Sequence, residues 1–251
     1  MRLVNLVLAF LAFPLFASSY DTRVLLDNPV LYLPLADRTS HGLSARFYPS
    51  GTFSKTSMPN GDRATRFDGS SQYVEISDAP SLSVRPGGAL TVEAWIRPSV
   101  LDFPNDEGDG YVHWAGKGEP SQHEYALRMY SRHNSASRPN RISGYAFNLA
   151  GGLGSGSYFQ DTVRTNEWIH VVLIIQTRTR PGTVLIYKNG VLRDTTPLSQ
   201  FDVVPRPGTA PLRIGTRDFG SFFKGAIGKF AVYAYPLSAS QIQAHYDLMQ
   251  P

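Results

Sequence analysis

The sequence predicts an all-β fold, a jelly-roll sandwich of two antiparallel sheets with one C-terminal helix. Two observations support this prediction: β-rich runs recur at short intervals, and turn-forming dipeptides separate them. The 22 glycines, 18 prolines and 42% hydrophobic positions suit a large core enclosed by many short strands. Long helical patterns are scarce, so an all-helical fold is not expected.

The predicted strands are distributed over the whole chain. The clearest hairpin turns at Asn189-Gly190, because both residues of such a turn need a positive φ. Trp95 and Trp168 lie in alternating strands, where we expect them to fill the space between the sheets. The segments with strand patterns are Val30–Leu35, Arg63–Phe67, Gln72–Ile76, Leu90–Arg97, Tyr111–Ala115, Glu124–Tyr130, Ile142–Asn148, Trp168–Thr177, Thr183–Tyr187, Leu212–Ile214 and Ala226–Tyr233.

One helix is predicted near the C-terminus. Ser238 is placed as its N-cap and Gln241 follows three positions later, which is the pattern of a capping box. Ile242, His245, Tyr246 and Met249 then recur at helical spacing and are expected to share one face.

The N-terminal residues predict a secretory signal peptide over residues 1–19, followed by a single domain over 20–251. Arg2 precedes an apolar run, and the small residues before Tyr20 suit cleavage there. The alternative, a membrane-spanning helix, would need about 20 apolar residues, and the run is shorter and interrupted by Pro14. No later stretch has that character. We therefore expect a protein that is secreted or held in a bacterial cell envelope.

Composition narrows the chemistry. The chain has no cysteine, which excludes disulfides, thiolate metal sites and cysteine nucleophiles. Its net charge of +4 comes from scattered arginines, so no nucleic-acid partner is expected. The densest basic stretch, Arg132 to Arg141, is interpreted as a solvated loop. The glycine-rich segment Gly151–Gly156 lacks the pattern of a phosphate-binding loop and is interpreted as a flexible turn.

Five motifs follow one another in a recognisable order. They are Pro29–Leu35; Ala64–Gly69 with Tyr73–Ile76; Leu90–Pro98; Trp168–Val172 with Leu185–Gly190; and Phe223–Gly225 continuing to His245-Tyr246. In this order they resemble the laminin G-like domains of the concanavalin A-like lectin and glucanase superfamily, in their secreted bacterial form. The resemblance covers nearly all of the predicted mature chain and implies a concanavalin A-like jelly roll. That scaffold hosts binding proteins, adhesins and hydrolases alike.

Catalytic patterns of these relatives are absent. The resemblance implies a Glu-x-Asp-x-x-Glu strand for a glycanase and a Gln-Ile-His segment for a lyase, and neither occurs. We therefore predict a non-catalytic binding module for a glycan or an extracellular, cell-surface protein. The alternatives are a divergent polysaccharide hydrolase or lyase, and a structural or adhesive envelope protein.

Two sets of residues are candidates for ligands. The resemblance implies a calcium site that needs an acid in the closing strand, where this chain has Gly228. Calcium is the one candidate cofactor, and its candidate ligands are the acidic loop residues Asp102, Asp106, Glu107 and Asp109, since calcium prefers several carboxylates on a flexible loop. The alternative is that this loop is solvated surface. For a glycan we select aromatic and polar side chains between Tyr111 and Phe159, because aromatic faces stack on sugar rings. They are Trp114, His123, Tyr125, Arg128, Tyr130, Tyr145 and Asn148.

Overall fold

Two antiparallel sheets, with sixteen strands between them, make up most of residues 19–251, which are the residues that the computed structural model describes. The predicted signal peptide lies outside these residues, apart from Ser19. The first sheet contains β1 (Leu31–Leu33), β2 (His41–Gly42), β4 (Lys55–Ser57), β5 (Arg63–Asp68), β7 (Ala89–Pro98), β12 (Ile169–Gln176), β13 (Thr183–Lys188), β14 (Val191–Pro197) and β16 (Lys224–Tyr233).

The second sheet supplies the other layer. It contains β3 (Ala45–Tyr48), β6 (Tyr73–Ile76), β8 (Tyr111–Lys117), β9 (Tyr125–Tyr130), β10 (Ile142–Ala146), β11 (Ser155–Phe159) and β15 (Leu212–Ile214). Its strand order is β11-β10-β9-β8-β15-β6-β3. In the first sheet the order is β14-β13-β12-β7-β16-β1-β2, with β5 also beside β16 and β4 beside β5. The predicted all-β sandwich is confirmed.

Every predicted strand is present, and five further strands occur. Of these, β2 and β4 are short and polar, and β3 is a four-residue strand with one buried side chain, Phe47. The exposed edge strand β14 was anticipated only as the second strand of the hairpin at Asn189-Gly190. The fifth, β11, corrects the interpretation of Gly151–Gly156 as a turn at its last two residues, because pairing with β10 begins at Ser155, whereas Gly151–Gly154 connect the two strands. Gly156 and the glycines before it conceal β11 in the sequence, since glycine lacks the side chain that produces an alternating pattern.

The predicted hairpin is confirmed. Lys188 pairs with Val191, and the two residues between them, Asn189 and Gly190, have φ values of 51° and 82°. Positive φ at both positions is the geometry of a type I′ turn, which matches the twist of the flanking strands.

Helices cover the outer face of the first sheet. The C-terminal helix α2 (Ala239–Asp247) begins at Ser238 with the predicted capping box to Gln241. A second helix, α1 (Tyr20–Leu26), was not predicted, and Ser19 caps it by accepting from the backbone N–H of Thr22 at 3.2 Å. Two short 3-10 turns, Pro80–Leu82 and Leu198–Phe201, complete the helical elements of residues 19–251. No helix in that range is long and apolar enough to cross a bilayer.

Trp95 is buried, but it does not lie between the sheets as predicted. Its ring stacks on His170 at 4.9 Å and on Tyr246 of α2 at 5.8 Å, on the outer face of the first sheet. Its neighbours Ala94 and Ile96 are the residues that face the second sheet. The central strand β7 is covered on both faces, so hydrophobicity does not reveal which of its faces points inward.

Trp168 is also on the outer side of the first sheet, not between the sheets. Its side chain is half-buried and packs against the hydrophobic residues that are buried between the first sheet and the helices. Its Nε1 donates to the backbone oxygen of Ser57 at 3.1 Å, which joins β12 to the end of β4.

Candidate ligand groove

A groove of about 440 Å³ runs across the outer face of the second sheet, over β8 to β11. Its side chains come from alternate positions of each strand, while the intervening residues enter the core. Register aligns them: Arg128 lies opposite His113 on β8, and Tyr145 lies opposite Gly156 on β11. Lining residues include Asp109, Tyr111, Arg128, Tyr130, Arg138, Arg141, Tyr145, Phe147, Gly154, Gly156, Tyr158 and Phe201.

Arg128 occupies the centre of the groove. Its guanidinium carbon lies 4.2 Å from the ring centroid of Tyr111 and 4.9 Å from that of Tyr145. A third ring, Phe147, is 5.5 Å away. The Nε of Arg128 donates to Nε2 of His113 at 2.9 Å. The cation is therefore held by aromatic faces and a neutral acceptor.

His113 holds Arg128 without adding or removing charge. Since its Nε2 accepts from Arg128, the ring proton is on Nδ1, which donates to Oε1 of Glu107 at 2.5 Å. Burial lowers the pKa of His113 well below its usual value, and the nearby Arg128 and Arg217 lower it further. His113 is therefore neutral at physiological pH.

Arg138 and Arg141 stand beside the aromatic residues of the groove. Arg138 donates from Nη1 to the Tyr130 hydroxyl at 2.8 Å. Arg141 donates from Nε to Gln160 at 2.9 Å, and its guanidinium lies 3.8 Å from the ring centroid of Tyr158. Both guanidinium groups are thus fixed in position by neutral partners and retain further N–H groups.

Glycines lower the floor of the groove along β11. A β-carbon at Gly156 would collide with the ring of Tyr145, and one at Gly154 would collide with Phe147. The two rings therefore lie across Gly156 of β11 and Gly154 just before it, where the chain has no side chain. The ring of Tyr145 stays partly exposed there, as an aromatic surface that suits the face of a sugar ring.

The structure gathers three of the seven predicted glycan ligands in this groove: Arg128, Tyr130 and Tyr145. The prediction is wrong for Trp114 and Tyr125, because both side chains are fully buried in the core on the inner face of the same sheet. Asn148 fixes a loop instead, by accepting from the backbone N–H of Val204 at 2.9 Å. His123 packs near Phe147 at 6.1 Å, outside the lining.

Sequence reasoning missed several groove residues. Arg138 and Arg141 belong to the basic stretch that was interpreted as a solvated loop. The high density of basic residues in that stretch was the feature of the sequence that could have indicated a binding surface. Tyr111 and Tyr158 occupy alternate positions in β8 and β11, but their faces could be assigned only once the register was known.

The acidic loop does not gather its four carboxylates into one ligand set. Asp102 contacts Arg132 at 3.0 Å, and Asp106 accepts from Ser131 at 2.8 Å. Glu107 joins a different group with His113 and Asp218, whose potential ligand atoms lie within 4.8 Å of one another. Asp109 lines the groove.

A second polar cluster lies beneath the helices, around the fully buried Glu93. Its carboxylate accepts from Tyr20 at 2.9 Å, from His170 Nε2 at 2.8 Å and from Tyr233 at 3.1 Å. His245 of α2 is 3.0 Å away through Nδ1.

This Glu93 cluster ties both helices to the sheet. The Nε2 of His245 contacts Oδ2 of Asp27 at 2.9 Å, at the end of α1. Burial alone would raise the pKa of Glu93, but His245 and His170 outweigh it and lower that pKa. Burial likewise opposes the charge on His245, yet Glu93 and Asp27 raise its pKa above the usual value.

Comparisons with known proteins agree with the fold. A laminin G family model, described as concanavalin A-like lectin/glucanases superfamily, matches residues 68–243, well over half of the chain. No curated protein sequence matches.

Solved structures with the same fold include binding domains of clostridial toxins. The botulinum neurotoxin serotype D ligand binding domain, solved in complex with N-acetylneuraminic acid, has a TM-score of 0.64 at 14% identity, covering 88% of this chain and 51% of that chain. The binding domain of Paraclostridial Mosquitocidal Protein 1 has a TM-score of 0.65 at 12% identity, with 88% and 52% covered. The chain therefore spans about half the length of these neighbours, and the likeness is one of fold.

Proposed function

Because the chain belongs to the concanavalin A-like lectin/glucanases superfamily, we propose that it is a non-catalytic module that binds carbohydrate in the groove on the second sheet. The observation that carries the proposal is the groove itself, where the exposed ring of Tyr158 and the partly exposed rings of Tyr111 and Tyr145 lie beside fixed hydrogen-bond donors. Sugar rings present apolar faces and hydroxyl groups, and these two kinds of side chain match them.

The toxin neighbours offer secondary support, since one was solved with N-acetylneuraminic acid and another is described through its interaction with two ganglioside molecules. We further propose that the module acts outside the cell or in a bacterial cell envelope, where such glycans are displayed. A cell-surface protein is the alternative partner.

The non-catalytic part of the proposal rests on the distribution of acids. Glycoside hydrolysis usually needs two carboxyl groups about 5 to 10 Å apart across the substrate. Asp109 is the one acid among the described residues that line the groove. Glu93, which contacts His170 and His245, is fully buried under the helices. Reducing-sugar and unsaturated-product assays on every glycan that binds should show no turnover, and turnover lost in an Asp109→Asn variant would reverse this part.

The binding proposal is tested with a glycan array and two matched variants. Tyr158→Ala removes an exposed aromatic ring of the groove, against which the guanidinium of Arg141 packs. Phe219→Ala is the control, because Phe219 is similarly exposed and lies 4.3 Å from Arg213, but away from the groove lining.

We expect Tyr158→Ala to weaken glycan binding about tenfold, since one stacked ring contributes on the order of 1 to 2 kcal/mol. Phe219→Ala should bind like the wild-type protein. Binding that is equal in all three proteins would place the glycan elsewhere, and a wild-type protein that binds no glycan on the array would overturn the proposal.

A further inference from the structure

We propose that the groove selects acidic glycans, whose carboxylate or sulfate groups bind to Arg138 and Arg141 while the sugar ring lies on the aromatic floor. This inference rests on the proposed function and adds the class of ligand to it.

The first argument is that the groove arginines lack acidic partners. Over residues 19–251, no carboxylate oxygen lies within 4 Å of a side-chain nitrogen of Arg128, Arg138 or Arg141. Five other arginines of residues 19–251 have acidic partners; Arg213, for example, pairs with Glu75 at 2.8 Å and with Glu119 at 2.7 Å. Ten arginines outside the groove also lack such a partner, and the groove brings three arginines of this kind together. Asp109, the one acid among the described lining residues, interacts electrostatically with Arg138 but forms no ion pair within 4 Å, so the groove keeps a net positive charge.

The second argument is that these cations are held in place by neutral groups. Arg138 donates to a tyrosine hydroxyl, Arg141 donates to a glutamine, and Arg128 donates to a neutral histidine. The guanidinium groups of Arg128 and Arg141 also pack over the aromatic rings of Tyr111 and Tyr158. Such groups orient a guanidinium without cancelling its charge, which reduces the entropic cost of binding an anion.

The third argument is chemical. A guanidinium presents parallel N–H groups that match the two oxygens of a carboxylate or sulfate group, and Arg138 and Arg141 each keep such groups available. Tyr145 and Phe147 supply aromatic surface beside the Arg128 cation, so a sugar ring and its acidic group can be accommodated together. An acidic sugar has both features in one molecule.

The experiment compares polymers that differ in charge but not in backbone. Polygalacturonate is paired with its methyl ester, and dextran sulfate with dextran, so that the two arms separate carboxylate from sulfate. Poly-L-glutamate is the anionic polymer without sugar. Dissociation constants are measured by biolayer interferometry at physiological and at high salt, because screening weakens exposed charge pairs.

Variants test where the charge acts. The double variant Arg138→Gln with Arg141→Gln removes two positive charges from the groove. The matched control, Arg164→Gln with Arg206→Gln, removes two exposed arginines that do not line it. Arg128 is left intact because His113 and three rings pack on it. Melting curves verify that each variant is folded.

We expect the wild-type protein to bind one acidic polymer at least tenfold more tightly than its neutral partner. The groove variant should lose that preference, and the control variant should keep it. Preference for polygalacturonate identifies carboxylate as the bound group, and preference for dextran sulfate identifies sulfate.

Four outcomes would overturn the inference. Equal binding of acidic and neutral polymers that Tyr158→Ala still weakens would leave the proposed function standing and remove only the selectivity for acids. Poly-L-glutamate bound as tightly as the acidic glycans would show that the groove recognises charge without sugar. An equal loss in the control variant would attribute the preference to net charge. A wild-type protein that binds none of the five polymers and no array glycan would overturn the proposed function as well.

Discussion

The two polar clusters of this molecule, one under the helices and one in the groove, treat charge in opposite ways. The Glu93 cluster surrounds one carboxylate with four donor groups and seals it beneath α1 and α2. The groove instead holds three arginines with neutral partners and leaves it open. Internal compensation serves stability, whereas uncompensated charge at an opening is available for a ligand. Polarity alone therefore does not mark a binding site.

The largest effect is expected from Glu93→Gln. The amide cannot balance the charge on His245, so we predict a loss of about 3 to 5 kcal/mol in the free energy of unfolding, measured by chemical denaturation. Arg138→Gln, in the open groove, should stay within about 0.5 kcal/mol of the wild-type value. A Glu93→Gln loss below about 1 kcal/mol would end the distinction between the two clusters.

An effect of similar size is expected from Trp95→Ala, which should cost about 3 to 5 kcal/mol. Because Trp95 stacks on Tyr246, the variant should also exchange amide hydrogens faster across residues 239–247. Trp114→Ala, on the inner face of the other sheet, serves as the control for a core tryptophan and should leave exchange in α2 unchanged below global unfolding. Equal exchange in α2 for both variants would contradict the placement of Trp95 under the helix.

A smaller effect, with opposite signs in the two regions, concerns pH. The pKa of His245 is raised above 6.5, so its stabilising contribution is complete below that pH and is lost as pH rises through the folded-state pKa. The pKa of His113 is lowered, so the folded state resists its protonation and stability falls as pH drops below 6.5.

Denaturation at pH 5.5, 7.0 and 8.5 compares the wild-type protein with His245→Gln and His113→Gln. The stability difference between wild type and His245→Gln should shrink toward high pH, and the difference for His113→Gln should shrink toward low pH. Differences that change in the same direction would show that the two histidines do not titrate as their surroundings imply.

The smallest effect is expected from calcium. Asp102, Asp106 and Glu107 each already contact a basic or hydroxyl group, so we expect nearly equal melting temperatures in millimolar calcium and in chelator. A ligand at a hundredfold excess over its dissociation constant would stabilise the native state by about 2.7 kcal/mol. A shift of that size that disappears in Asp106→Asn with Asp109→Asn would restore the predicted calcium site.

The fold could be predicted from the sequence to a greater extent than the groove. Turn dipeptides such as Asn189-Gly190 and the capping box at Ser238 act locally, so their geometry follows from a few adjacent residues. The face to which a side chain points depends on strand pairing and on what covers the sheet. That is why Trp95 and Trp114 were both assigned to the wrong side.

Groove residues also depend on long-range register. Arg138 and Arg141 come from a loop and a strand start whose position over Tyr130 and Tyr158 follows from the pairing of β9, β10 and β11. The strand β11 was itself not recognised in the sequence, because glycines interrupt the alternating pattern of side chains there. No local pattern could have joined these residues into one surface.

Those glycines also separate the residues that set the depth of the groove from the residues that bond to the core. Gly156 of β11 and Gly154 just before it set how deeply the rings of Tyr145 and Phe147 can settle, whereas Ser155 and Ser157 donate to the backbone oxygens of Leu198 and Val184 on the other side. Depth of the groove and integrity of the core are thus encoded at alternating positions. Relatives could vary the first without disturbing the second, and so acquire new ligand preferences through one or two substitutions on an unchanged scaffold.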